Sequence, residues 1–192
     1  MLKVITMEKI IMRISTEEID KFLLSTEGKE HEIYDVVGLF PKIKVGNEEL
    51  PEGNIVLKNG YQNPSNIHSG YGVIHILKGS HTNDLMYSNV TCLDDLVKVI
   101  KNALKKHSKI YMEMVGDCIV ISNMNTQKVV VEYRGDEGIY SVVTCHSITK
   151  SYNPEKKHGD NIGKIKDDLT NMWLISKTLE KHSKCSYNTN SG

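Results

Sequence analysis

Cysteine, proline and large aromatics are all scarce in this chain. Four cysteines occur among 192 residues, and none forms a CxxC or CxxH pair, which argues against a structural zinc site. With two Phe and one Trp, the core must rest on Ile, Val, Leu and Tyr. No secretory signal is evident, and no apolar run is long enough to span a bilayer. The expected setting is therefore a reducing cytoplasm, with no membrane partner. Net charge is absent too, since 24 basic residues face 24 acidic ones. General nucleic-acid coat proteins usually carry a basic surplus, so neutrality counts against that class. The charge is unevenly placed: residues 1–60 carry −3, 61–150 carry +1 and 151–192 carry +2.

What is present can fold. A hydrophobic share of 39% can fill a core. "KIIMRIS" (9–15) reads as a strand, and 15–26 as a short helix with a capping box at Ser15 and Glu18. "YDVVGLF" (34–40) and "NIVLKNG" (54–60) read as strands. Residues 69–87 predict a helical centre weakened on either side by Gly72 and Gly79. The strongest helical signal is 91–109. Thr91 can cap it, and Leu93, Leu96, Val97, Ile100 and Leu104 form one stripe. Then come strands at 109–115, 117–122, 128–133 and 139–146, joined by turn-like links into an antiparallel meander. Residues 160–182 fit a terminal helix bearing Ile162, Ile165, Leu169, Met172, Trp173 and Leu179. The class is α+β: an antiparallel sheet of four or five strands with helices packed on one face, plus a C-terminal helix. The expected organisation is an N-terminal strand–helix portion (1–52), a central domain (53–150) and a helical extension (151–192).

The chemistry centres on "GYGVIHILKGSH" (70–81). On a helix, His75 and Lys78 are neighbours, while Val73, Ile76 and Leu77 take another face. His75 is then expected where the apolar helix edge meets the rim of the sheet. His81 follows Gly79 and Ser80, where the helix ends or bends. In "IYSVVTCH", alternation groups Tyr140, Val142, Thr144 and His146 on one face, with Ile139, Ser141, Val143 and Cys145 on the other. Lys128, Val130, Glu132 and Arg134 likewise share a face. A helix laid across this sheet would gather imidazoles, cations and a hydroxyl. That set suits RNA cleavage by the 2′-hydroxyl without metal. One group removes the proton, a cation stabilises the phosphorane, and another group protonates the leaving oxygen. No carboxylate–histidine cluster has metal-ligand spacing, so neither metal nor cofactor is expected. Blander readings exist for each residue. A helix-edge histidine is more often structural, lysine and arginine at strand ends are usually solvated, and threonine favours strands anyway. His68, His107, His158 and His182 read as exposed loop or helix-end residues.

"GYGVIHILKGSH", an amphipathic helix and a meander ending in "YSVVTCHS" together resemble the phage-associated branch of the barnase–EndoU–colicin–RelE-like nuclease superfamily. The resemblance covers about residues 53–150. It implies a metal-independent ribonuclease of toxin type, often borne by phages or toxin–antitoxin systems. Carried over, His75 and His81 match the helix motif's two histidines, Thr144 the last-strand hydroxyl, and Arg134 the basic strand residue. Lys78, Lys128 and His146 would contact substrate. The chain departs from the pattern in its neutral charge and in residues 151–192, which have no counterpart.

Two functions follow as expectations. The first is an endoribonuclease acting on tRNA or mRNA, leaving a 2′,3′-cyclic phosphate and held by a cognate inhibitor protein. The second is an inactive RNA- or protein-binding module of the same fold, acting through its C-terminal helix. A remoter ADP-ribosyltransferase-like option lacks an acidic motif after the last strands.

Overall fold

Ser15 opens the first helix, α1 (Thr16–Thr26), as its spacing predicts: its hydroxyl accepts from the Glu18 amide at 3.1 Å. Glu18 turns its carboxylate elsewhere, accepting from the Leu93 amide at 3.2 Å. One acidic side chain thereby satisfies an orphan donor at the start of a later helix. The computed structural model describes residues 14–78, 90–113, 118–123, 127–148 and 152–166. The expected strand at 9–15 lies almost wholly outside these residues. His81, Cys185 and the apolar positions from Leu169 to Leu179 lie wholly outside them.

After α1 come β1 (Ile33–Phe40), β2 (Ile43–Val45), β3 (Glu48–Leu50), β4 (Gly53–Lys58), β5 (Tyr61–Gln62) and β6 (Gly70–Tyr71). Helix α2 spans Gly72–Lys78 and α3 spans Leu93–Ala103. The meander follows as β7 (Lys109–Met112), β8 (Cys118–Ser122), β9 (Gln127–Arg134) and β10 (Ile139–Ser147). A short helix, α4 (Pro154–His158), and β11 (Gly163–Lys164) complete the described chain.

The meander is antiparallel, as its turns predict. The sheet is larger than expected and mixed, with seven strands in the order β1-β4-β10-β9-β8-β7-β11. β4 joins β10 in parallel, with Tyr140 beside Ile55 and Ser141 beside Val56. Local periodicity carries no record of such a pairing, because its two strands lie far apart in sequence. β1 then pairs with β4, and the sheet runs across both expected boundaries, at 52/53 and 150/151.

Helices α1, α2 and α3 bring Phe22, Val73, Ile76, Leu77, Leu96, Ile100 and Leu104 to one face of the sheet, against Ile55, Ile121, Val131 and Val142. Burying each Leu or Ile contributes about 1.5–3 kcal/mol. The fourth helix breaks the one-face expectation: His158 of α4 lies 6.3 Å from the Tyr111 ring, which belongs to a separate cluster with Val120 and Val130 on the opposite face.

Helix α3 is shorter than its predicted span. The Leu104 amide bonds to both Ile100 and Lys101 carbonyls, and His107 turns at φ 72°, ahead of β7. Thr91 does not cap this helix. Its hydroxyl donates to Asp95 Oδ2 at 2.7 Å, and Cys92 holds the cap position. That bond and one from Lys98 hold the Asp95 carboxyl well below the usual carboxylate range. The terminal helix does not begin at 160. Residues 162–165 run extended, with the Ile162 amide bonding to the Ile110 carbonyl at 2.9 Å and the Ile165 amide to Ser108 at 2.9 Å. Ile165 is buried in the core. The open edge of β7 supplies the backbone partners that favour extension here. Among the described residues, no helix is long and apolar enough to cross a membrane.

Candidate functional site

Strand β10 changes phase in its middle. Val142 opposes Val131, Thr144 opposes Val130, and the register shifts between them at Val143. The bulge overturns the simple alternation. Tyr140, Val142 and Cys145 all enter the helix-covered core, while Ser141, Thr144 and His146 turn to the other face. Thr144 and His146 do share a face, as expected, but without Tyr140 and Val142. Burial pushes the Cys145 thiol up to about 12, as befits an inert core group.

The second face is polar and yet buried. Lys58 has a side chain only 5% exposed, and its ammonium binds both oxygens of Glu137 at 2.6 and 2.8 Å. The Ser141 and Thr144 hydroxyl oxygens are buried, with no hydrogen-bond partner among the described residues. His146 lies opposite Lys128, and both are buried. The Lys128 ammonium sits 5.2 Å from the centre of the Tyr152 ring. These groups straddle the apolar patch of Tyr111, Val120 and Val130.

Arg134 lies on the same face but at the far end of β9, about 20 Å along the strand from Lys128. It ion-pairs with Glu132 at 2.8 Å. Its charge also reaches Tyr71, whose phenol is pushed up by burial and lowered in part by Arg134. The structure thus brings Thr144, His146 and Lys128 together, sets Arg134 apart, and leaves His75, on α2, at the opposite face of the sheet rather than in one cleft with Thr144.

Helix α2 begins where β4 stops and packs against β10. A Cβ on Gly72, at φ 74°, would meet the Lys58 carbonyl oxygen at 2.6 Å, so only glycine allows this close start. His75 is not at an open helix edge. It is 3% exposed and lies beneath the β5–β6 hairpin, its Nδ1 2.6 Å from Gln62 Oε1. Lys78 is exposed on another side of α2. There it lines a cavity of about 510 Å³ with Leu23, Gln62, Ile67 and Ile74. His81 lies outside the described residues.

Several residues escaped the sequence reading. His158 was expected in solvent but is buried, with Nε2 2.8 Å from the Tyr152 hydroxyl and Nδ1 3.8 Å from Glu113. Burial and Lys128 lower its pKa, while Glu113 opposes them. Asn153 before Pro154 was the available signal, since it caps α4 by accepting from the Lys156 amide. Tyr71 and His31 form a second pair, 3.0 Å apart. Lys58 and Gln62 carried no local motif. Among the described residues, no group of three or more His, Cys, Asp or Glu side chains is arranged to hold a metal ion.

A scan against protein-family models, a search of curated proteins and a search of solved structures each returned no match.

Proposed function

We propose that the chain is a metal-independent endoribonuclease of toxin type, of the superfamily its motifs resemble. The carrying observation is the pair of buried hydroxyls, Ser141 and Thr144, unpartnered among the described residues on a face that also buries Lys58 and Lys128. A buried hydroxyl without a partner costs about 1–3 kcal/mol, so folding alone gives no reason to keep two. Together with lysine ammonium groups, hydroxyl donors fit the non-bridging oxygens of a phosphate.

In this reading a base takes the 2′-hydroxyl proton, and the 2′-oxygen bonds to phosphorus. The bond from phosphorus to the 5′-oxygen breaks, and an acid protonates that oxygen. The products are a 2′,3′-cyclic phosphate and a 5′-hydroxyl. His75 and His81 are the proposed acid–base pair; Thr144, on the sheet face turned away from α2, donates to a phosphate other than the scissile one. Lys128, beside Thr144 and His146, suits that same phosphate. Arg134 and Lys78 suit phosphates farther along the strand. A tRNA or mRNA is the proposed substrate, and an inhibitor protein the proposed partner.

The rival reading is an inactive RNA- or protein-binding module. The near-complete burial of His75 favours it, since a structural histidine is expected to look the same. The deciding experiment incubates the protein with total RNA in excess EDTA and analyses the product ends. Cleavage with cyclic phosphate ends supports the enzyme. Binding without cleavage supports the module, and cleavage only with added Mg²⁺ overturns the mechanism.

A further inference from the structure

We infer that Gln62 is a positioning residue that fixes the tautomer of His75, holding the ring proton on Nδ1 and leaving Nε2 as the proton-accepting atom. The inference follows from which atoms can donate. Gln62 Nε2 lies 3.0 Å from the Asn63 carbonyl oxygen, 3.1 Å from that of Asn66 and 3.3 Å from that of Ser69. Carbonyl oxygens only accept, so the atom among them must be the amide nitrogen. The amide oxygen is thereby turned to His75 Nδ1, at 2.6 Å. An amide oxygen also only accepts, so Nδ1 must carry the hydrogen. A neutral imidazole has one ring hydrogen, which assigns the lone pair to Nε2.

The three carbonyls hold their places without help from Gln62. The Asn63 amide bonds to the Ser69 carbonyl at 2.9 Å, and the Ser69 amide to Asn66 at 2.9 Å. Asn63 Oδ1 accepts from the Ser65 amide at 2.9 Å, and Asn66 Oδ1 from the His68 amide at 3.0 Å. The 63–69 loop is a self-bonded frame that aims one amide at one ring. Gly70 makes room for that ring, because a Cβ there would stand 2.7 Å from His75 Nδ1. A neutral orienter has a further consequence. A carboxylate in this position would favour the imidazolium, whereas an amide orients the ring without adding charge.

What Nε2 does in catalysis rests on the nuclease reading, but the tautomer does not. The test is two-bond ¹H–¹⁵N correlation NMR on histidine-labelled protein at pH 8, with His75 assigned through His75→Gln. The Nδ1–H pattern is expected in the wild type, and loss of that preference in Gln62→Leu. Gln62→Glu should restore Nδ1–H and move the His75 titration to higher pH, carrying the acid limb of any pH–rate profile with it. In the cleavage assay, Gln62→Leu should lower kcat tenfold or more (~10-fold at least) with KM little changed. An Nε2–H pattern in the wild type overturns the inference, as does an unchanged tautomer in Gln62→Leu. Should Gln62→Leu fail to fold, the wild-type pattern and the Gln62→Glu titration still decide. A wild type that shows Nδ1–H but cuts no RNA sinks the nuclease reading alone.

Discussion

The two faces of the central sheet are both buried, yet they are built differently. Toward α1–α3, β9 and β10 present Val129, Val131, Tyr140, Val142 and Cys145, a nearly unbroken hydrocarbon surface. Away from those helices the same two strands present Lys128, Glu132, Ser141, Thr144 and His146 around a small apolar patch. The first face is what stability alone would select. The second buries polar groups, among them two hydroxyls, of Ser141 and Thr144, with no hydrogen-bond partner among the described residues. One bulge, at Val143, separates them by placing Thr144 where continued alternation would have put it in the core.

The largest expected effect falls on a polar group set within the helix side. His75→Ala should lower RNA cleavage by about 10²–10⁴-fold, the usual worth of general acid–base catalysis. It should also destabilise, by about 1 kcal/mol, because the part-buried Gln62 oxygen loses its partner. Cleavage at the wild-type rate by a folded His75→Ala protein would end the enzyme reading. Next comes the hydrocarbon of that same side. Leu96→Ala should cost about 2–5 kcal/mol in urea unfolding, while the folded fraction keeps its full activity. Any large loss of specific activity there would blur the division between His75 and the hydrocarbon around it.

A pair of isosteric exchanges then sharpens it. Thr144→Val should leave stability unchanged or raise it by about 1 kcal/mol, and should lower cleavage by less than His75→Ala does. Val142→Thr, two positions earlier and on the other face, should cost about 1–3 kcal/mol by burying an unsatisfied hydroxyl. Matching melts for the two variants would mean that the faces are energetically alike.

The smallest effect is a pH dependence. The folded pKa of His158 lies below its ordinary value of 6.5, through burial first and Lys128 second. As pH falls below about 6.5 the unfolded chain takes up the proton first, so stability is full above that pH and declines toward the folded value. His158→Gln should flatten the decline between pH 7 and 5. An unchanged slope would show that Glu113 offsets burial and the nearby lysines.

The elements that could be read in advance are those set by neighbours in sequence. Ser15 and Glu18 start α1, the spacing of Leu96, Ile100 and Leu104 gives α3 its buried stripe, and turn residues separate the meander strands. Features that depend on distant partners were hidden. Nothing local marks Ile55 as the neighbour of Tyr140, or Gly163 as that of Ile110. The bulge was hidden too, because "SVVTC" is consistent with unbroken alternation and only packing selects the slip. At the site, period alone grouped Thr144 with His146, and the pairing of β9 with β10 adds Lys128. Gln62 reaches His75 only through a folded loop, and the burial of His158 requires the sheet to exist first.

The parallel seam between β4 and β10 also orders events in time. Its strands are separated by roughly 85 residues of chain, so a ribosome adding about 5–20 residues per second makes β4 several seconds before β10. During that interval the β1–β4 hairpin has one edge without its final neighbour. Ser141 and Thr144 belong to the strand that closes this gap, so their face is assembled last. A nascent chain therefore carries α2 well before it has made β10, the strand against which that helix packs.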